Sequence, residues 1–548
     1  MFKIISFSLI AFVFIFLVTL IQKYGEKDNY HYKKYSIGLV IVVLACSVFL
    51  LYKINNFPDI FVDEGNGMYD SWSLIHYGVD SNLNAHPVYL QSFAGQGQSI
   101  LYANIAGLFL KIFGYKLWAF RLPLVLLNII NLLLLSYIGL KNFNSKIAFW
   151  VVTVIGTSPY LLTMSRYGMD CNVSLFVFSI GVQLLYLGMI QDNYLKKQFQ
   201  LSVGLLVIGL TAYSYNVAWI FLPGFLISLF IFIVCSHHIR IRDIIIPTFI
   251  MMIEIVPILT FAIRSNIPHL NETTKILFWT SPKLLASRAA DSLISFKGNI
   301  FNNIYINLCE GFKILITGTD NLTWNSVLNF GPYYMFTLPF FIVGLVVLIK
   351  NSKNIVYSII ISMIIGCIPM IMTVKPNYNH WIFLHLPVLL AIAIGILSSI
   401  QNSKLETGLL VSYLIMSLSF SNYYFSQQRY TGWSLSGLSE VKALHTKNYK
   451  KVYFVSKDPS FLYNIRTSLP ISPYLYQKTK DHPYSKTILN METKYDNFEK
   501  LQLTDDLKNR SLFLIQQNEL TSYHDLIDRL DLKGSITINS ITYNVYKN

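Results

Sequence analysis

Asp63 and Glu64 stand side by side in Phe57 to Asp70 (FPDIFVDEGNGMYD), directly after a hydrophobic run and near the start of a long aromatic-rich loop. Ionisable groups this close to a membrane are costly unless they face water or a cation, so the pair is a candidate site by position. A carboxylate here can take a proton from a reacting hydroxyl; the plainer alternative is a solvated helix start in which it serves as an N-cap. Arg121, Arg166, Arg264, Arg288 and Lys375 recur in segments near the same predicted membrane face. Guanidinium forks bind phosphate oxygens two at a time and an ammonium acts as a point charge, so the residue types fit proton transfer beside an anion.

The elements that position these groups are membrane helices. The chain of 548 residues is 53% hydrophobic and only 13% charged, with a mean hydropathy of +0.47, a balance that a soluble chain of this length has too little polar surface to accommodate. Apolar runs of spanning length fall near 4–22, 36–53, 118–139, 147–164, 172–190, 201–217, 219–235, 244–263, 333–349, 355–373, 381–400 and 407–424, predicting about twelve transmembrane helices. Every second loop is basic: Lys23 to Lys34, Lys141 to Lys146, Lys196 with Lys197, Arg240 with Arg242, and Lys350 with Lys353. Basic loops are retained on the cytoplasmic side, so the Asp63/Glu64 loop, both chain ends and the long loops 55–118 and 264–332 are expected outside. The first span is read as a retained helix, with only Lys3 before it and no small-residue cleavage site after it.

The expected division is a transmembrane catalytic domain over 1–424 and an extracytoplasmic α/β domain over 425–548. The latter segment carries 17 Lys and Arg and 12 Asp and Glu, a density suited to water. Lys451 to Val455, Ser511 to Ile515 and Ser535 to Tyr546 read as strands, and Leu520 to Leu532 spaces Leu520, Leu526, Ile527 and Leu530 as one helix face. Ser71 to Tyr77 and Ile304 to Ile316 are expected as helices lying in the interface. Cys46, Cys171, Cys235, Cys309 and Cys367 show no ligand spacing, which supports neither a disulfide framework nor a zinc site. The net charge of +15 is largely accounted for by the inner loops, so no nucleic-acid partner is expected.

Pro58 to Leu124 resembles the lipid-linked-sugar transferases of the GT-C superfold, glycosyltransferase family 39, which includes protein O-mannosyltransferases and the aminoarabinose transferase acting on lipid A. The resemblance rests on Asp63, Glu64 and Tyr69 in an acidic first outer loop. It continues in Gly97 to Gly114 (GQSILYANIAGLFLKIFG), and in Trp118 to Pro123 (WAFRLP) opening a membrane helix. Ser165 to Leu175 (SRYGMDCNVSL) resembles the family's Arg-x-x-x-Asp, here Arg166 and Asp170, and Lys375 to Pro387 (KPNYNHWIFLHLP) a basic-aromatic segment of a late helix. The family's Lys-Pro-Pro is represented only by His86-Pro87.

The resemblance implies a polytopic α-helical GT-C protein that moves a sugar from a polyprenyl-phosphate donor to a hydroxyl of a cell-envelope glycan, polymer or lipid; little Ala and Gly with abundant Asn, Ile, Lys and Tyr points to an AT-rich bacterial genome, which adds cell-wall polysaccharide and teichoic acid as candidate acceptors. Asp63 is the implied general base of an inverting displacement, with Glu64 or Asp170 orienting it or binding substrate hydroxyls. Arg166, Lys375, Arg264 and Arg288 are the implied phosphate partners, with Tyr69, His86, Tyr378 and His380 as further substrate contacts. No tightly bound cofactor or metal site is expected, although two adjacent carboxylates leave Mg²⁺ or Mn²⁺ open. The expected location is the plasma membrane, with the active site extracytoplasmic. Two other readings remain: a transporter or flippase of lipid-linked sugars, opposed by the scarcity of charge within spans (Glu254 chiefly), and a polysaccharide polymerase or ligase.

Overall fold

The computed structural model describes residues 1–25, 30–91, 97–235, 239–285, 292–400, 402–427, 434–481, 493–502 and 510–548. Arg288 lies outside them. By contacts the chain forms two compact units: 1–58, 117–259 and 289–429 in one, and 59–116, 260–288 and 430–548 in the other. Of the two long loops, 59–116 thus groups with the C-terminal residues, whereas 264–332 is divided between the units.

The first unit is helical. Among the described residues seven helices of the chain are long and apolar enough to cross a membrane: Phe2–Tyr24, Lys33–Leu51, Leu117–Asn142, Ala218–Cys235, Ile241–Asn266, Ile355–Thr373 and Ile382–Ser399. Helices also occupy the other five expected positions, but four are shorter. The 147–164 run divides into Ser145–Gly156 and Pro159–Met164, where Ser158 caps and Pro159 opens a new helix. Val173–Met189, Tyr194–Leu210 and Leu338–Lys350 end within 17 residues. Ser403–Gln427 is long but more polar, interrupted by Ser412, Ser417, Ser419 and Ser421. The protein is a multi-pass membrane protein.

Small residues set the helix spacing, as is common where lipid removes the hydrophobic drive to associate. A Cβ on Gly395 would lie 1.8 Å from the Phe340 carbonyl oxygen and one on Gly344 1.9 Å from that of Ala391, so Leu338–Lys350 and Ile382–Ser399 meet backbone to backbone. The segment expected as an interfacial helix lies within helix Ile300–Thr317; Phe301, Tyr305 and Phe312 are exposed while Asn307 and Gly311 are buried. Of the five cysteines, Cys46, Cys171 and Cys367 are buried and Cys235 and Cys309 exposed, all free.

The second unit holds a six-stranded mixed sheet in the order Asp531–Ile538, Ile541–Lys547, Ser511–Gln516, Lys451–Val455, Phe498–Lys500, Lys494–Tyr495. The central pair Ser511–Gln516 and Lys451–Val455 is parallel, Leu512 opposite Val452, and buries both faces. The expected strand over 535–546 is a hairpin instead, turning at Asn539 and Ser540, both at positive φ. The expected helix over 520–532 is also corrected: Gln517–Tyr523 is 3₁₀, His524–Ile527 a single α turn, and Asp531 already enters a strand. Leu520, Leu526, Ile527 and Leu530 do pack together on the Tyr453, Phe513 and Ile515 cluster. Their partial burial is met by a tighter winding ahead of the edge strand that begins at Asp531.

Candidate active site

Helix Val62–Tyr77 follows the two-residue strand Ile60–Phe61, which pairs antiparallel with Ser434–Leu435. Phe61 is the N-cap, without a side-chain capping bond, so Asp63 and Glu64 lie inside the first turn rather than at the cap. Negative charge there is favoured by the helix dipole by about 0.3–1 kcal/mol. The helix ends at Gly78, left-handed at φ 70°, whose N–H donates to the Leu74 carbonyl. Ser71 to Tyr77 is therefore the second half of a longer helix rather than a separate one.

This helix buries polar residues. Glu64, Asn66, Tyr69, Asp70 and Ser73 are all buried, while Asp63 is half-buried. Gln98 donates from Nε2 to the Asp63 carbonyl at 3.2 Å and accepts from Asn66 Nδ2 at 3.4 Å. Asn66 Oδ1 in turn accepts from the Arg466 guanidinium at 3.1 Å. That guanidinium lies 4.8–5.0 Å from the ring centres of Tyr69, Tyr463 and Tyr476, an aromatic cage of cation–π geometry. Tyr463 donates to the Val62 carbonyl and Tyr69 to that of Ile471. Burial raises the Tyr463 hydroxyl well above its usual range, with Asp63 and Asp70 adding to the shift and Arg466 opposing it, so it remains protonated.

Asp70 accepts from the Ser81 N–H at 2.8 Å. The neighbouring Asp80 accepts from the N–H groups of Asn82, Asn84 and Gln91 and from Asn84 Nδ2, tying the loop after the helix into a closed knot. Burial first, and then the Asp70 charge, pushes the Asp80 carboxyl up to about 7 against those hydrogen bonds. The unfolded chain, near the usual value of about 3.9, has already released this proton between pH 4 and 7. Stability from this group is therefore fully present below pH 4 and lost as pH rises through 7. Thermal unfolding in detergent is expected to show stability falling over that interval, with a shallower slope in Asp80→Asn; an unchanged slope would assign it elsewhere.

The other expected residues of this unit are separately placed. His86 is exposed at φ 43°, its carbonyl accepting from the Thr280 N–H. Arg264 is half-buried and donates to Thr274 Oγ1 at 2.7 Å.

In the helical unit, Arg166 and Asp170 lie in the turn between Pro159–Met164 and Val173–Met189. Arg166 is fully buried and donates to the carbonyls of Phe49, Leu50, Tyr52 and Phe57, under the rings of Phe49, Tyr424 and Phe425. Its guanidinium thus closes the frayed end of a helix whose last carbonyls need donors. Arg121 works similarly, donating to the Ile54 and Pro58 carbonyls. Arg166→Met is expected to destabilise the protein by about 3 kcal/mol or more, since several buried acceptors lose their donor. Unfolding of the detergent-solubilised protein measures this, and a melting temperature equal to wild type would show the clamp to be dispensable.

Asp170 is buried and accepts from the Cys171 N–H. Lys375 is exposed, His380 donates from Nδ1 to the Lys375 carbonyl, and the Tyr378 N–H donates to Asp320. The Tyr378 hydroxyl is buried without a hydrogen-bond partner, and its ring meets Tyr160 at 5.4 Å. Among the described residues no three His, Cys, Asp or Glu side chains cluster in metal-binding fashion.

Sequence reasoning missed Arg466, Gln98 and Asp320. Asn66 and Asp70 carried a signal, repeating from Asp63 at helical spacing, i+3 and i+7. Arg466 carried none, being one arginine in a short amphipathic run.

Residues 97–284 match the family model described as dolichyl-phosphate-mannose-protein mannosyltransferase; the segment includes Arg121-Leu122-Pro123, Arg166 and Asp170 but not Asp63. None of the curated proteins matches the sequence. Among solved structures, ArnT from Cupriavidus metallidurans in the apo state superposes with a TM-score of 0.55 at 10% identity, over 93% of this chain and 98% of that one. The same protein bound to undecaprenyl phosphate gives 0.53 at 10% identity, over 93% and 97%. The oligosaccharyltransferase AglB from Archaeoglobus fulgidus, in complex with an inhibitory peptide and a dolichol-phosphate, gives 0.48 at 11% identity, over 88% and 62%. The chain is thus a membrane protein with the GT-C glycosyltransferase fold and a small C-terminal α/β region.

Proposed function

We propose that this protein is a glycosyltransferase that moves a sugar from a polyprenyl-phosphate carrier to a hydroxyl of a cell-envelope glycan, polymer or lipid outside the plasma membrane. The observation that carries the reading is the half-buried Asp63 in the first turn of a helix whose buried polar face is held by Gln98, Asn66 and Arg466. ArnT, whose fold the chain shares, has been solved with undecaprenyl phosphate.

In the proposed step the acceptor oxygen attacks the anomeric carbon, the bond from that carbon to the phosphate oxygen breaks with its electron pair, and the acceptor proton passes to Asp63. The configuration at the sugar inverts. A phosphate is already a competent leaving group, so the protein supplies a base and cations for the growing charge. Lys375, Tyr378 and Arg264 are proposed as partners of the donor phosphate, as the family resemblance implies. Glu64, fully buried, is assigned to holding the helix start.

The test is transfer of radiolabelled sugar from defined polyprenyl-phosphate donors in proteoliposomes. Label moved into an acceptor supports a transferase and identifies its sugar. Donor that crosses the bilayer without transfer supports a flippase instead, and transfer only from oligosaccharide-lipids supports a polymerase or ligase.

A further inference from the structure

The helical unit holds a cavity of about 450 Å³ between Leu117–Asn142, Ser145–Gly156, Val173–Met189, Ile355–Thr373 and Ile382–Ser399. Its size is that of a small-ligand site, for which about 300–1,000 Å³ is usual. Val151, Ile360 and Leu390 are among its apolar lining. Asn144, Lys146 and Asn354 line it where these helices meet the basic loops. Asn144 and Asn354 each cap a helix that starts there, accepting from the Ile147 and Val356 N–H groups, so two positive helix ends share the rim with Lys146.

Lys146 donates one proton to the Ile400 carbonyl at 3.4 Å, and an ammonium has three. Glu406, the acid within electrostatic reach of Lys146, is already met by Lys34, Tyr35 and Trp150. Lys141, Lys350 and Lys353 add charge in the two flanking loops. Within the cavity wall Gln183 is 6% exposed; its amide nitrogen donates to Asn131 and Ser179 while its Oε1 has no partner.

We propose that this cavity binds one anionic phospholipid from the leaflet on the side of the basic loops, an acyl chain lying among Val151, Ile360 and Leu390 and the phosphate at Lys146. Anionic lipids concentrate in the cytoplasmic leaflet, the side to which basic loops are retained. The Gln183 oxygen supplies an acceptor for a hydroxyl. Its lining includes neither Asp63 nor the Lys375 segment, and its occupancy is independent of whether the protein transfers sugar.

The experiment is native mass spectrometry of the full chain after exchange into detergent with phosphatidylglycerol or phosphatidylcholine, alongside titration of each lipid. One phosphatidylglycerol is expected to remain bound, with at least tenfold preference over phosphatidylcholine. Lys146→Gln should lose that preference, and Ile360→Trp, which fills the cavity, should lose the bound lipid. Equal retention of both lipids by wild type, or undiminished retention by Ile360→Trp, overturns the proposal. Should Ile360→Trp fail to elute as a single species, Val151→Phe serves as the second filling variant and is judged by the same readout.

Discussion

Asp63→Asn is expected to lower turnover by about three orders of magnitude, within the range that general-base removal gives, while the protein remains folded in the membrane. Asn has the shape of Asp and the backbone carbonyl still accepts from Gln98, so the helix start is unchanged apart from a dipole contribution of about 0.3–1 kcal/mol. What is lost is the site for the acceptor proton. Because the effect falls on the chemical step, kcat is expected to drop with little change in KM for the donor lipid. The measurement is sugar transfer in proteoliposomes, normalised to folded protein by size-exclusion chromatography. Turnover within twofold of wild type would remove Asp63 from the mechanism and leave the acidic first turn as a solvated helix start.

The second large effect is expected at Arg466. Its side chain is caged by Tyr69, Tyr463 and Tyr476 and donates to Asn66. Arg466→Met removes a buried guanidinium, and with it the hydrogen bond to Asn66 and the contacts with the three rings. Loss of a buried charged donor of this kind costs about 1.5–3 kcal/mol. Arg466 is a positioning residue in this account, acting on the acidic helix through Asn66. Turnover is accordingly expected to fall at least tenfold at temperatures where the variant is still folded, with KM for the donor unchanged. Arg466→Lys keeps the charge but not the planar fork or its stacking, and should recover stability more fully than turnover. An Arg466→Met protein with wild-type kcat would remove Arg466 from the positioning residues of the site.

Membrane character, and a helix or helices at each of the twelve apolar runs, were legible in the sequence because span length and hydrophobicity are local properties of contiguous residues. The strands Lys451 to Val455 and Ser511 to Ile515 were legible for the same reason: a short run of β-branched and aromatic side chains suits a buried pleat regardless of its partner. The Asp63/Glu64 pair was visible by its position after a hydrophobic run, and Asn66 and Asp70 by helical spacing from it.

Tertiary structure decided what each charged side chain does. Arg466 reaches Asn66 across 400 residues of sequence, a distance over which no local pattern carries information. Arg166 was expected at a phosphate because Arg166 and Asp170 match the family's Arg-x-x-x-Asp; in the fold its guanidinium also donates to the carbonyls of Phe49, Leu50, Tyr52 and Phe57. Which helix ends lack donors depends on how those ends are packed, and a sequence does not display it. The 520–532 segment has the side-chain spacing of a helix face but winds as 3₁₀ and yields Asp531 to an edge strand. Hydrophobic spacing thus determined which faces are buried, whereas hydrogen-bond partners, drawn from distant segments once the chain is packed, decided the winding and the role of each ionised group.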